Sequence, residues 1–440
     1  RPTNPPTTRP PTNPPTTSSP TASPTAKTSR FTHIRNVLSP VTSPPEALDV
    51  PSSPQFQSLE WVVFDDARSG SAWSDASLIR RYALATVYYS TGGAGWKTSS
   101  HWLSATDECE WHGVVCSDDV VTELKLDRNE LSGRIPHELA ALTKLRNVEL
   151  WKNGIGGSIP ASISDLSELK SLYLDDNELT GSIPDVIGLI SALEDLALYG
   201  NKLIGTLPST LSNLQSLHRL WLSDNKLVGS IPPSLGSLSS LTALYLESNE
   251  LTGSIPSSLS QLSELTDVRL AFNKLAGKLP RGMSHLPKLK IVYLDNNALT
   301  GDVPPSWFTG MSSLADLQLS DNRLTGPLPE EIGFASSLEV LNVANNQLRG
   351  RIPAEMADIP GLKKVHLNGN RLNGFIPASL AGLHTLTKLT LEGNMFMGDV
   401  PTEFCHGDMV VLTADCAEGE GGRPAAVNCD CCTKCYGGSA

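Results

Sequence analysis

The chain has 440 residues, 39% of them apolar, with a formal net charge of −12. Residues 1–45 hold five basic groups (Arg1, Arg9, Lys27, Arg30 and Arg35) and no acid, so the remainder carries −17. A body so acidic is a poor partner for nucleic acid or an anionic membrane surface. It also contains no run of 18 apolar residues that could span a bilayer.

The first thirty residues, RPTNPPTTRPPTNPPTTSSPTASPTAKTSR, are almost entirely Pro, Thr and Ser. Such a segment cannot bury enough apolar surface to offset the entropy of folding, so it is expected to be an extended stalk open to O-glycosylation. Residues 31–58 are still punctuated by proline and are expected to continue as linker, giving a disordered region over 1–58. The chain begins at Arg1 without Met or a signal-peptide pattern, so it reads as a processed or truncated segment whose targeting information is missing.

An N-terminal cap is expected over 59–120. Leu78, Ile79, Tyr82, Ala83, Thr86, Val87 and Tyr89 recur at helical spacing, with Ser74 or Asp75 placed to cap the start. The run Thr91-Gly92-Gly93-Ala94-Gly95-Trp96-Lys97 superficially resembles a phosphate loop. It lacks G-x-x-x-x-G-K-[ST] and opens no helix, so it is read as a helix stop followed by a packing Trp. Cys109 and Cys116 follow, separated by Glu110-Trp111-His112-Gly113-Val114-Val115.

From residue 121 to 404 the chain is a repeat, clearest at Leu241 to Pro256 as LTALYLESNELTGSIP. Its Asn recurs at Asn129, Asn153, Asn177, Asn201, Asn225, Asn249, Asn273, Asn297, Asn322, Asn346, Asn370 and Asn394, spaced by 24 with one interval of 25. A unit of this length cannot bury its own apolar face and must stack on copies of itself, which predicts a solenoid. The alternating leucines, such as Leu244 and Leu246, predict a short strand with both pointing inward. The Asn amide can serve backbone groups of neighbouring coils, predicting a buried ladder. The Gly allows close approach or positive φ, and the Pro sits where no ladder donor is needed.

The pattern LxxLxLxxNxLxGxIP resembles the leucine-rich repeat family, in particular its plant-type extracellular subclass, over about Val121 to Pro401. The resemblance implies an α/β repeat solenoid, a right-handed superhelix or horseshoe lined by a concave parallel β-sheet. A second sheet or turn layer would lie on its flank, and disulfides would close both ends. It extends to receptor-like ectodomains and polygalacturonase-inhibiting proteins. Cys109 and Cys116 match the C-x-W-x-G-V-x-C ending of the family's N-terminal caps, which implies that they form a disulfide covering the first strand edge. Past Pro401 come Cys405, Cys416, Cys429, Cys431, Cys432 and Cys435, expected to form a C-terminal cap over 405–440. Six cysteines permit fifteen pairings and the sequence does not choose among them. Cys432-x-x-Cys435 suits zinc or redox chemistry, but its place at the end of a stack favours structural disulfides in an oxidising compartment, and no metal is expected. Stalk, cap, repeats and cysteine-rich tail together resemble the leucine-rich repeat proteins of diatom-type algae, which often sit outside the cell on a membrane anchor.

If the leucines are buried, the residues between them face the concave surface. Repeats two to eight then present Trp151, Tyr173, Tyr199, Trp221, Tyr245 and Tyr293, with Arg269 among them. Flanking acids include Asp175, Asp195, Glu247, Asp267 and Asp295. Aromatic side chains with polar tips suit binding, and neighbouring acids favour a basic or hydroxyl-rich ligand. Repeats ten to twelve show Lys364, His366 and Lys388 instead, so a ligand is expected on the N-terminal two-thirds. No G-x-S-x-G, H-E-x-x-H or kinase signature occurs, and an open arc offers no closed pocket, so neither catalysis nor a cofactor is expected. The function read from the sequence is extracellular recognition or adhesion, binding a protein, peptide or glycan, with any membrane anchor outside this segment. The alternatives are an inhibitor of a wall-degrading hydrolase and a structural matrix protein.

Overall fold

A computed structural model describes residues 24–66, 74–406, 409–417 and 427–437. The repeats build a solenoid in which each coil contributes one strand of a fifteen-stranded sheet, laid down in sequence order. Neighbouring repeat strands are parallel and in register, so Leu220, Leu244 and Val268 stand side by side with side chains in the core. Trp221, Tyr245 and Arg269, one residue later, stand side by side on the opposite, concave face.

The second face of each coil is a short strand after the Asn, and these strands form small parallel sheets along the flank. The Gly of LxGxIP has positive φ in every coil, as at Gly253 (77°), so the glycine is required there. The Pro then precedes a five-residue 3₁₀ helix in nearly every coil, as Pro256 does for Ser257–Gln261. In the single 25-residue unit the extra residue widens this turn into an α-helix, Pro305–Gly310, whose buried Trp307 fills the added space. Hydroxyls on the helical edge tie coil to coil: Thr210 donates to the carbonyl of Asp185, and Ser258 to that of Pro233.

Beneath both sheets runs the asparagine ladder. Asn225 accepts from the amide of Leu203 at 3.0 Å and donates to the carbonyls of Leu198, Leu222 and Ser223 at 3.0–3.2 Å. The residue before each ladder Asn turns the chain with positive φ, which the repeat pattern alone did not reveal. In repeats four, eleven and twelve it is Gly200, Gly369 or Gly393, but in repeat seven it is Phe272 (φ 53°).

The N-terminal end corrects one expectation. Residues 24–58, read as stalk and linker, fold: α1 (Pro24–Leu38), the 3₁₀ helix Pro45–Asp49 and α2 (Pro54–Glu60) bury Ile34, Leu38, Leu48 and Leu59 in the cap. Their apolar residues are too widely spaced by prolines to show a period, yet they join one core with the buried side chains of the helix α3 (Asp75–Ser90). The stalk expected over residues 1–23 lies outside the described residues. Helix α3 is capped by Ser74, whose side chain accepts from the amide of Ser77. It stops at Gly92 in the left-handed conformation, and Trp96 packs back on the cap as expected. At the cap's centre the Arg81 guanidinium lies between the Trp61 and Trp111 rings and pairs with buried Asp66 and Glu108.

Val114–Ser117 pairs antiparallel with Val120–Lys125 and covers the edge of the first repeat, held by the Cys109–Cys116 disulfide. At the other end Val411–Ala417 and Lys434–Gly437 extend the main sheet past the last repeat. Disulfides Cys405–Cys431, Cys416–Cys435 and Cys429–Cys432 close that cap, which resolves the fifteen possible pairings. The sulfurs of Cys416, Cys429 and Cys432 lie within 4.8 Å of one another. All three are oxidised in disulfides, so this cluster has no thiolate to offer a metal.

Candidate functional site

The candidate residues occupy two adjacent columns of the concave face. Strand register places Glu149, Tyr173, Ala197, Trp221, Tyr245, Arg269 and Tyr293 in one column. The next column, just past the strand, holds Trp151, Asp175, Tyr199, Ser223, Glu247 and Asp295. All six aromatic residues are half-buried, with one side against the sheet and the other open.

The structure joins only part of this set. Trp221 and Tyr245 stack with ring centroids 5.8 Å apart. The Arg269 guanidinium lies 4.6 Å from the Tyr245 ring and 5.1 Å from that of Tyr293, bridging the two. A continuous strip therefore runs through repeats five to eight. Ala197, fully buried, separates it from Tyr173, and Trp151 stands apart with Arg128 over its ring at 4.2 Å.

The strip is held by acids. Asp267 accepts from the Tyr245 hydroxyl at 2.7 Å and takes Arg269 in two hydrogen bonds of 3.0–3.1 Å. Asp195 does the same for Tyr173 (3.0 Å) and Arg219 (2.5 and 3.0 Å), and Asp316 accepts from Tyr293 at 2.9 Å. Arg219 also lies over the Trp221 ring, 5.4 Å from its centre. Asp195 and Asp267 are thus structural clamps, buried and neutralised, rather than open charges for a ligand. Burial and the adjoining Asp267 push the Tyr245 hydroxyl up to about 12, and burial with Asp316 does the same to Tyr293. Both remain neutral hydrogen-bond donors at physiological pH.

Asp175, Glu247 and Asp295 differ: none forms an ion pair among the described residues. Burial raises all three carboxyls above the usual range, and hydrogen bonding to Tyr199 partly offsets this at Asp175. Glu247 faces a hollow of about 360 Å³ lined by Tyr199, Trp221, Ser223, Asp224, Tyr245 and Arg269. At its wall the Glu247 Oε2 and Trp221 Nε1 atoms are buried and have no hydrogen-bond partner. The hollow itself offers aromatic walls, which suit a side chain of an extended ligand.

Three further residues were not singled out from the sequence. Arg219 and Asp316 precede the inward leucine, and their partners lie 22–24 residues away in neighbouring coils. Phe272, three residues past Arg269, is 56% exposed and in the left-handed conformation that bulky side chains avoid. A bulky apolar residue in a column otherwise filled by glycine or polar residues was the available signal. In repeats eleven and twelve the Nδ1 of His366 meets the Thr390 hydroxyl at 3.2 Å. Burial, then Lys388 and Lys364, pull its imidazole below the usual range.

The leucine-rich repeat family model matches residues 143–203, 239–299, 287–348 and 336–396, and a second leucine-rich repeat model matches 216–238. The chain belongs to the leucine-rich repeat family. Among relatives, it is 39% identical over 72 residues to Receptor-like kinase TMK4 of Arabidopsis thaliana, covering 16% of this chain and 8% of that protein. It is 36% identical over 94 residues to Polygalacturonase inhibitor 1 of Oryza sativa subsp. japonica, covering 20% and 28%. A solved structure of the plant peptide hormone receptor RGFR1 in complex with RGF2 is similar at 33% identity and a TM-score of 0.65. That likeness covers 66% of this chain and 46% of the receptor chain. The match thus spans less than a third of these two relatives and about half of the solved receptor chain. Among the described residues no helix is long and apolar enough to cross a membrane.

Proposed function

We propose that this chain is a recognition module working outside the cell or at its surface, binding an extended peptide or a segment of a partner protein on the concave face of repeats five to eight. One observation carries the reading: Trp221, Tyr245, Arg269 and Tyr293 form one half-open strip, pinned by Asp267 and Asp316, beside a hollow walled by Tyr199, Trp221 and Tyr245. Rigid aromatic surface lowers the entropy lost when a ligand docks. The likeness to a plant peptide hormone receptor solved in complex with RGF2 supports a peptide as the occupant. Disulfides at both ends of the stack support an oxidising location. The strip carries groups suited to binding and orientation, and the reading requires no chemical step.

The experiment is a peptide array probed with the intact chain and with a Trp221→Ala/Tyr245→Ala variant. Loss of wild-type signals in a variant that still unfolds cooperatively supports the proposal; equal signals from both proteins overturn it. Inhibition of a cell-wall hydrolase is the second reading, favoured by the match to the rice inhibitor. A polygalacturonase assay with the purified chain separates the two.

A further inference from the structure

The flank sheet carries a second unusual surface, independent of the concave strip. Elsewhere on that sheet three outward charge pairs link neighbouring coils: Lys202 with Glu178, Lys274 with Glu250, and Asp302 with Arg281. In repeats nine to eleven four outward arginines gather on it. Arg323, Arg349, Arg351 and Arg371 all project from the sheet, are exposed, and form no ion pair among the described residues. Arg349 and Arg371 lie directly opposite each other in adjacent coils. The stem of Arg351 runs across Gly374, and the Phe375 ring covers Gly398. Beside the arginines, Phe375 is 66% exposed and Met395 and Met397 are each 53% exposed. Three acids mark the limits of this patch. Glu330 and Glu355 line the hollow on its helical side, and Asp399, which accepts from the Asn428 amide at 2.7 Å, lies in the last coil.

We propose that this patch binds a linear carboxylated polysaccharide lying along the solenoid axis. Four guanidinium groups without partners, on a chain of net charge −12, single out an anionic ligand by charge complementarity. The planar fork of arginine matches a carboxylate in two hydrogen bonds. Arg349 and Arg371 stand opposite each other in neighbouring coils, about 4.8 Å apart between strands, with Arg351 two residues further along and Arg323 one coil before. A polymer with one carboxylate per sugar can meet Arg349 and Arg371 in turn. Phe375, Met395 and Met397 offer apolar area to the C–H faces of the sugar rings. An anionic bilayer is the poorer occupant: the anionic leaflet faces the cytoplasm, whereas disulfide-closed caps belong to an oxidising compartment.

The test measures binding of polygalacturonate and alginate to the intact chain at low salt, beside neutral dextran, polyglutamate and phosphatidylserine vesicles. Both carboxylated polysaccharides are expected to bind more tightly than all three comparators and to weaken as salt rises. Changing Arg323, Arg349, Arg351 and Arg371 together to Gln is expected to reduce that binding by at least about tenfold. Replacing all four with Lys retains charge but loses the fork, and is expected to fall between. Thermal melts of both variants verify that the exposed substitutions leave the fold intact. Trp221→Ala/Tyr245→Ala is expected to leave polysaccharide binding unchanged, so the two surfaces fail or succeed separately. Three results overturn the proposal: no polysaccharide binding, equal binding by the four-Gln variant, or preference for polyglutamate or vesicles.

Discussion

The concave strip of repeats five to eight and the flank patch of repeats nine to twelve are built on the same coils by opposite means. On the concave side, Asp195, Asp267 and Asp316 already hold the tyrosines and arginines that touch the strip, so the aromatic surface is fixed before any ligand arrives. On the flank, Arg323, Arg349, Arg351 and Arg371 have no acidic partner among the described residues and keep their side-chain freedom. The first arrangement favours specificity through shape and a low ordering cost. The second favours long-range attraction that salt screens. A rigid solenoid can carry both because the asparagine ladder lies beneath both sheets.

The largest expected effect strikes what the two surfaces share. Asn225→Ala strands several buried backbone groups and is expected to cost about 3 kcal/mol of stability, read by urea denaturation. The comparison then sharpens at the strip itself. Trp221→Ala or Tyr245→Ala is expected to weaken concave-face binding by about 2 kcal/mol, with the urea midpoint little changed. Asp267→Asn leaves every ring in place but removes the negative charge and one of the two acceptor oxygens that hold Tyr245 and Arg269. It is expected to cost about 1 kcal/mol in binding, the price of ordering side chains that were previously held. If it costs nothing, the clamps do not pre-order the strip.

Two smaller effects concern backbone and charge. Phe272→Asn is expected to raise stability by about 1 kcal/mol, because Asn tolerates the left-handed conformation. Glu247 has a carboxyl raised by burial, so the folded state retains its proton at pH values where the unfolded chain has lost it. Its contribution to stability therefore falls as pH rises from the ordinary carboxylate range through the raised value. Glu247→Gln is expected to stabilise by less than about 1 kcal/mol above that window and to have no effect below it, as measured by melts across pH.

Much of this architecture was legible because it is periodic. The Asn, Gly and Pro positions announced the coil, its positive-φ glycine and its prolines, and the inward leucines identified the concave columns. What escaped the reading lacks a period or depends on a neighbour in another coil. The apolar residues of 24–58, such as Leu38 and Leu48, are scattered among prolines and become a core only once the cap has folded. Asp195 and Asp267 looked like ligand-facing acids because their partners, Arg219 and Tyr245, are 24 and 22 residues away. The cysteine pairing followed no repeat and emerged only with the cap's fold. Lone arginines look alike in sequence whether paired or not, so the flank patch became visible only when Arg349 and Arg371 were seen side by side.

The most direct test of the central claim is a peptide array read with three proteins: wild type, Trp221→Ala/Tyr245→Ala, and the variant with Gln at the four flank arginines. Peptides captured by wild type are expected to be lost from the concave-face variant and retained by the flank variant. Capture that survives loss of both rings contradicts the assignment of the strip as the recognition surface.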